Sequence, residues 1–307
     1  MDEANGAFAE EYEAYRPLLF GLAYRLLGSV MDAEDAVQEA YLYVSEKRPE
    51  HVGNPKAYLC KIVTNRCIDL LRSTRKQREV YVGPWLPEPL VQEEEAEGPD
   101  DRYLQKESIS TAYLLLLQQL SWVERAVFLL REVLQYEYDE IAEIVGKSST
   151  NCRQIFRRAK AAISRLPEQP SPQQQAASPS PRPAPLPQPV EQFVQALLSG
   201  NMGQLLSVVR ADAVLYSDGG GKVKAAVRPI AGAERIAAYF NGLQTKQPDL
   251  ISRYVLSEVN RDIGIIGYDQ DRQPYFVLSF EMQDGQIASF YLVVNPDKLK
   301  HIAALRD

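Results

Sequence analysis

Apolar positions in the first part of the chain recur at helical spacing. Leu18, Leu19, Leu22, Ala23, Leu26 and Leu27 fall three or four residues apart, and the pattern stops at Gly28, which predicts a helix closed by glycine. Asp32 then stands where an N-cap is expected. The segment DAEDAVQEAYLYV places Ala36, Val37, Ala40, Tyr41 and Val44 on one stripe and leaves Asp35, Gln38 and Glu39 elsewhere on the surface. After the turn KRPEHVGNP, a third helix is predicted from about Lys56 to Arg75, with Tyr58, Leu59, Ile62, Val63, Ile68 and Leu71 inward. Three helices make a compact first domain over residues 1–78.

The periodicity lapses between 79 and 103, where four prolines rule out a regular element. Within this linker the apolar pair Trp85-Leu86 lies between Pro84 and Pro87. Two readings stay open: a linker pinned to a neighbouring domain, or a docking peptide. Helical spacing resumes from Leu104 to Leu166, where four helices are expected, the last two short and joined at Gly146. Tyr138, Ile141, Ala142, Val145, Gly146, Lys147 and Ser148, followed by a basic helix through Arg153, Gln154, Arg157, Arg158 and Lys160, have helix-turn-helix form: a small alanine lets the helices approach and a glycine permits the turn.

Residues 167–189 hold nine prolines among Gln, Ser and Ala and cannot build a core. As polyproline II this stretch reaches about 70 Å at ~3.1 Å per residue, so a last domain over 190–307 is tethered near the first two. There the period changes. Helices are predicted near 190–210 and 232–243, and strands near 214–217, 223–227, 254–259, 264–268, 275–282 and 287–294. This is an α+β domain with helices on one face of a curved sheet.

The net charge of −7 argues at first against nucleic acid, but it averages segments of opposite sign. Lys56 to Arg78 carries seven bases and one acid, Lys147 to Arg165 six bases and no acid, and Glu88 to Asp101 seven acids and no base. Two basic patches with an acidic strap between them suit phosphate contact by the patches alone. Cys60, Cys67 and Cys152 cannot all pair and have no zinc spacing, so they read as reduced core thiols. His51 and His301 are too far apart in sequence to suggest a metal site or a triad, and no metal or cofactor is expected. With no apolar run near the ~20 residues of a membrane span and an acidic start, the chain is expected to be soluble and cytoplasmic, without a membrane partner.

Three stretches together resemble the extracytoplasmic-function sigma factors of RNA polymerase. DAEDAVQEAYLYV is similar to the helix that grips the clamp of core polymerase, and NPKAYLCKIVTNRCIDLLRSTRKQRE to the promoter-melting, minus-ten-reading segment. LSWVERAVFLLREVLQYEYDEIAEIVGKSSTNCRQIFRRAKAAISRL is similar to the minus-thirty-five-reading domain. The tail resembles SnoaL-like, NTF2-like cone domains. WLPEP (Trp85, Leu86, Pro87 and on to Pro89), DGGGK (Asp218, Gly219, Gly220, Gly221, Lys222) and NPDKL (Asn295, Pro296, Asp297, Lys298, Leu299) match signatures of the sigma-factor group that carries this tail. The pattern departs at Ser121-Trp122-Val123, where many relatives have a proline, and at Asn151-Cys152, which opens the recognition helix.

The resemblance implies two all-α sigma domains plus the α+β cone, acting on core RNA polymerase and promoter DNA. It divides the chain into region 2 (1–78), the acidic linker (79–103), region 4 (104–166), the proline-rich linker (167–189) and the tail (190–307). It implies that Asp35, Gln38 and Glu39 face the clamp, that Asn65, Asp69, Arg72 and Arg75 meet the minus-ten element, and that the loop from Lys47 to Asn54 takes a flipped base. Arg153, Gln154 and Arg157 would enter the major groove, where Arg reaches guanine and Gln adenine, while Arg158 and Lys160 position phosphate. Regulation in cis is also implied, the tail replacing a separate anti-sigma protein, with WLPEP meeting the DGGGK loop and NPDKL securing the contact.

An enzymatic tail would need a carboxylate base in an apolar cone. Asp212, Asp218, Tyr216, Tyr239, Glu281 and Tyr291 are candidates, but no second polar partner is assignable and Asp218 reads as part of a glycine turn, so no catalysis is expected. DGGGK lacks the spacing and the following Ser or Thr of a phosphate loop. The alternative reading is a DNA-binding repressor with a ligand-sensing or enzymatic tail.

Overall fold

The structure is a computed structural model that describes residues 2–47, 53–91, 109–164, 187–246 and 253–305; side chains are described from Tyr12 onward, except over 74–79. These residues fall into two compact units. The first comprises Met1–Glu79, Glu97–Ile109 and Tyr113–Pro179; the second comprises Val80–Ala96, Ser110–Ala112 and Ser180–Asp307.

The first unit is helical. Helix α1 (Asp2–Leu27) ends where Gly28 turns to φ +68°, α2 spans Val30–Lys47 and α3 spans Pro55–Glu79. Asp32 is not the cap of α2. The Ser29 hydroxyl accepts from the Asp32 amide at 3.1 Å, so the helix starts three residues earlier and Asp32 lies in its first turn. Asn54 does the same for α3, accepting from the Ala57 amide at 3.0 Å. The predicted inward positions Leu59, Val63, Ile68 and Leu71 are buried, as are Cys60 and Cys67, which are free thiols.

Helices α4 (Thr111–Gln118), α5 (Trp122–Phe128, running on as a π turn to Val133), α6 (Tyr138–Val145) and α7 (Ser149–Ile163) follow. Ser121 and Glu124 form a reciprocal capping box at α5. Gly146, at φ +65°, turns α6 into α7, and Ser148 caps α7 through the Asn151 amide. Of the two helices expected to be short, α7 runs 15 residues, because the stripe of Cys152, Ile155 and Ala159 keeps burying it. Within this unit α3 packs against α5 and α6. Arg125, only 4% exposed, donates its Nε to the Leu117 carbonyl at 2.9 Å and its Nη1 to the Leu26 carbonyl at the end of α1. A guanidinium at a helix C-terminus satisfies orphan carbonyls and complements the helix dipole.

The second unit is α+β. The expected helix over 190–210 is divided: Gly200, at φ +67°, ends α8 (Gln188–Ser199), and the Asn201 side chain caps α9 (Met202–Val208). Strands β1 (Val209–Asp218), β2 (Ile230–Ala231), β3 (Tyr254–Val259), β4 (Asp262–Tyr268), β5 (Pro274–Gln283) and β6 (Gln286–Val293) form one sheet in the order β2-β1-β6-β5-β4-β3. Only the β1–β6 pairing is parallel. The strand expected at 223–227 does not form. The Lys222 and Val223 amides both donate to the Gly219 carbonyl and curl the chain into a turn, so the edge of β1 is covered by β2 instead. Helix α10 (Ala233–Lys246) lies against β1. Phe193 from α8 and Phe240 from α10 meet Phe280 and Phe290 from the sheet, with ring centroids 5.1–5.7 Å apart.

Candidate functional site

The residues expected at polymerase and DNA all lie on the first unit. Asp35, Gln38 and Glu39 are exposed on α2, opposite a buried stripe of Ala33, Ala36, Val37 and Ala40, and Glu39 pairs with Arg66 at 3.6 Å. Asn65, Asp69 and Arg72 are exposed on α3. Arg72 contacts Asp69 at 3.6 Å and lies 4.4 Å over the Trp122 ring of α5. The Arg75 side chain and residues 48–52 of the expected base-capture loop lie outside the described residues. On α7, Arg153, Gln154, Arg157, Arg158 and Lys160 are all exposed, opposite the buried stripe, so helical period alone gathers the basic side chains on one face. Lys160 is also held by Glu132 at 3.3 Å.

The three short signatures of the second unit come together. Asp218, the last residue of β1, is fully buried. Its Oδ2 accepts from the Leu86 amide and from Lys298 Nζ, each at 2.8 Å, and its Oδ1 from the Tyr81 hydroxyl at 2.5 Å and the Gly220 amide at 3.0 Å. Lys298, also buried, donates to the Leu86 carbonyl and lies 3.8 Å from the Trp85 ring centroid. Asn295 donates its Nδ2 to the Tyr81 oxygen at 2.9 Å and caps the short 3-10 turn Pro296–Lys298 by accepting from the Asp297 amide at 3.1 Å. Lys222 pairs with Asp297, whose carboxyl is held below the usual carboxylate range by bonds to Lys222 and Lys300. Pro87 and Leu299 are buried nearby in sequence.

Glycine is required here for space as well as for backbone angle. Gly220 sits at φ +59°, and a Cβ there would come 2.3 Å from Asn295 Nδ2; a Cβ at Gly219 would come 2.4 Å from the Val223 carbonyl oxygen. Gly221 is also left-handed, at φ +72°. Asp218 is therefore more than a turn residue: its carboxylate takes four donors, two of them from the linker. Sequence reasoning missed Tyr81, whose hydroxyl is pushed well above its usual range by burial and by Asp218, and His301, whose Nε2–H donates to the Pro89 carbonyl at 2.8 Å. Neither carries a pattern that separates it from an ordinary surface residue.

A second cluster forms at the β3–β4 hairpin, where Asn260 (φ +52°) and Arg261 (φ +62°) make the turn. The Leu90 amide donates to Asn260 Oδ1 at 3.1 Å, and the Asn260 amide returns a bond to the Leu90 carbonyl at 3.0 Å. Asn260 Nδ2 donates to Thr111 Oγ1 at 3.2 Å, and the Thr111 amide donates to Asp262 Oδ2 at 3.2 Å. Desolvation pushes the Asp262 carboxyl up to about 8; the Thr111 amide acts against this, while Glu281 and Glu258 add to it.

Of the candidate catalytic groups, Tyr216, Tyr291 and Glu281 come together, Tyr216 stacking on Tyr291 with ring centroids 5.6 Å apart, while the other three lie elsewhere. Asp212 is exposed and paired with Arg210, Tyr291 donates to Glu281 at 2.8 Å, and Asp218 is taken up by the linker. Of the six, Tyr239 alone lines the cavity of about 310 Å³ between α8, α10 and the sheet, among Leu197, Phe240, Ile265, Leu278 and Leu292. The lining is mostly apolar, and its polar members besides Tyr239 are Lys224, Gln244, Lys246 and Tyr275, with none of the candidate carboxylates among them.

Residues 11–77 match the sigma-70 region 2 family and residues 110–169 the sigma-70 region 4 family. Over 94% of its length the chain is 32% identical to the ECF RNA polymerase sigma factor SigJ of Mycobacterium tuberculosis, covering 92% of that protein. It is 25% identical to the probable ECF sigma factor SigI of the same species, over 95% of each chain. Its structure is similar to the crystal structure of M. tuberculosis SigJ, with a TM-score of 0.74 and 27% identity, across 94% of this chain and 97% of that one. With both sigma regions in order, the basic face on α7 and a relative matched nearly end to end, the chain belongs to the extracytoplasmic-function sigma factors of RNA polymerase.

Proposed function

We propose that the α+β tail regulates this sigma factor in cis, by gripping the linker between its two promoter-reading regions through WLPEP. As a sigma factor, the chain binds core RNA polymerase and promoter DNA and directs initiation; it is not an enzyme. The observation that carries the regulatory reading is the buried Asp218 carboxylate, which takes the Tyr81 hydroxyl and the Leu86 amide of the linker, with Lys298 as counter-ion. A desolvated ion pair that takes two further donors from one peptide, the Tyr81 hydroxyl and the Leu86 amide, favours that peptide over others.

In this reading region 2 spans 1–78, the acidic linker 79–103, region 4 104–166, the proline-rich linker 167–189 and the tail 190–307. Asp35, Gln38 and Glu39 meet the clamp. Asn65, Asp69, Arg72 and Arg75 serve the minus-ten element, Arg153, Gln154 and Arg157 the bases of the minus-thirty-five element, and Arg158 and Lys160 its phosphates. The grip in cis stands in for a separate anti-sigma protein, and the factor works in the cytoplasm. Among the described residues no helix is long and apolar enough to cross a membrane.

Trp85→Ala and Gly220→Asp test the grip, the first by removing the ring under Lys298 and the second by placing a side chain where Asn295 stands. Both variants are expected to expose the bonds around Tyr81 and Leu86 to limited proteolysis and to change the runoff yield with core polymerase. Unchanged cleavage together with unchanged yield would remove the contact from the account.

A further inference from the structure

The second cluster has a consequence for how far the linker reaches. Leu90 and Thr111 lie 21 residues apart in sequence, yet both bond to the one side chain of Asn260: Oδ1 accepts from the Leu90 amide and Nδ2 donates to the Thr111 hydroxyl. Leu90 is also held by the Asn260 amide, Val91 pairs with Val259, and Thr111 is also held by Asp262. Asparagine is at home at a left-handed hairpin position, so φ +52° alone accounts for the residue type. It does not account for the burial. Asn260 is 2% exposed, and its amide is spent at one end on the linker and at the other on the first residue of α4.

We infer that the Asn260 turn is a second site in the tail that holds the connection between the two promoter-reading regions, separate from the WLPEP grip, whose occupants are Leu90 of this chain's own linker and Thr111 at the start of α4, and that it limits the promoter spacing the sigma factor can read. The inference rests on the cis-regulatory reading above. Its physical basis is contour length. While Leu90 and Thr111 are fastened to one side chain, the residues between them contribute nothing to the distance the linker can span, a loss of roughly 70 Å at ~3.3–3.6 Å per residue. The minus-ten and minus-thirty-five elements are about 25 base pairs apart, roughly 85 Å along the duplex at ~3.4 Å per step. A lost reach of that size bears directly on whether both elements are engaged at once.

The test uses the full chain with core polymerase, in runoff transcription from templates whose spacer is lengthened by one to four base pairs. Asn260→Gly keeps the left-handed turn and deletes the bridging amide. Thr111→Val keeps the shape and the backbone amide and deletes only the hydroxyl. Asp284→Gly, the same kind of change at the left-handed position of the β5–β6 turn, is the control (φ +52°). The expected result is a shift of the optimum toward longer spacers, with at least a threefold gain over wild type on the template two base pairs longer for Asn260→Gly, a smaller gain in the same direction for Thr111→Val, and none for Asp284→Gly. Superimposable spacer profiles for wild type, Asn260→Gly and Thr111→Val would overturn the inference. Failure of the wild-type chain to initiate on any template would instead overturn the sigma-factor reading beneath it.

Discussion

Lys298→Met is expected to unfasten the linker from the tail and to lower the stability of the second unit by about 3 kcal/mol, near the lower end of the cost of breaking a buried ion pair. Lys298 and Asp218 have side chains 7% and 0% exposed, so the carboxylate left behind has no solvent to turn to. It keeps the Tyr81, Leu86 and Gly220 donors, which holds the loss below the upper end of that range. The substitution also removes the cation over Trp85 and the bond to the Leu86 carbonyl, both of which belong to the linker. Thermal unfolding should show the stability loss, and hydrogen exchange should show faster exchange at Leu86. The double variant Asp218→Asn/Lys298→Met, which leaves no isolated charge, should recover part of the stability. A single variant that melts and exchanges like wild type would mean that the pair neither stabilises the tail nor holds the linker.

Arg125→Met should lower the stability of the first unit by about 3–6 kcal/mol, with the bond to Leu26, which joins the two promoter-reading regions, making up about half of that. Two buried carbonyls, Leu26 at the end of α1 and Leu117 at the end of α4, share this one guanidinium, and hydrogen bonds to a charged group contribute about 1.5–3 kcal/mol each. Arg72, expected at the minus-ten element, is meanwhile stacked on Trp122 of the other region. Regions in direct contact do not reach two promoter elements some 85 Å apart, so this packing has to open before both are read. The variant should therefore melt at a lower temperature and yet associate faster with core polymerase and promoter. Lower stability with slower association would show that Arg125 supports the reading-competent form instead.

Much of this was legible in the residues because helical period and signature peptides act locally. The inward stripe of α7 fixes where Arg153, Gln154 and Arg157 face, and DGGGK announces a backbone that tolerates no Cβ. Where the reading of local elements failed, a turn or a cap a few residues away had overridden what the composition favoured. Val223 to Val227 has strand-like composition, but two amides on the Gly219 carbonyl curl it away from the sheet. Ser29 rather than Asp32 caps α2, because the residue whose hydroxyl reaches the third amide starts the helix. Asn260, Asp262, Thr111 and His301 gave no signal, since each finds its partner more than a hundred residues away in sequence.

Runoff transcription with core polymerase, comparing the full chain with a form ending near Pro167 on promoters of graded spacer length, decides whether this is a sigma factor whose linker is held by its own tail. Start-site-specific, core-dependent transcripts are expected from at least one form, with the shortened form tolerating a wider range of spacers. Silence from both forms, with promoter binding that does not depend on core polymerase, would contradict the account and favour a DNA-binding repressor.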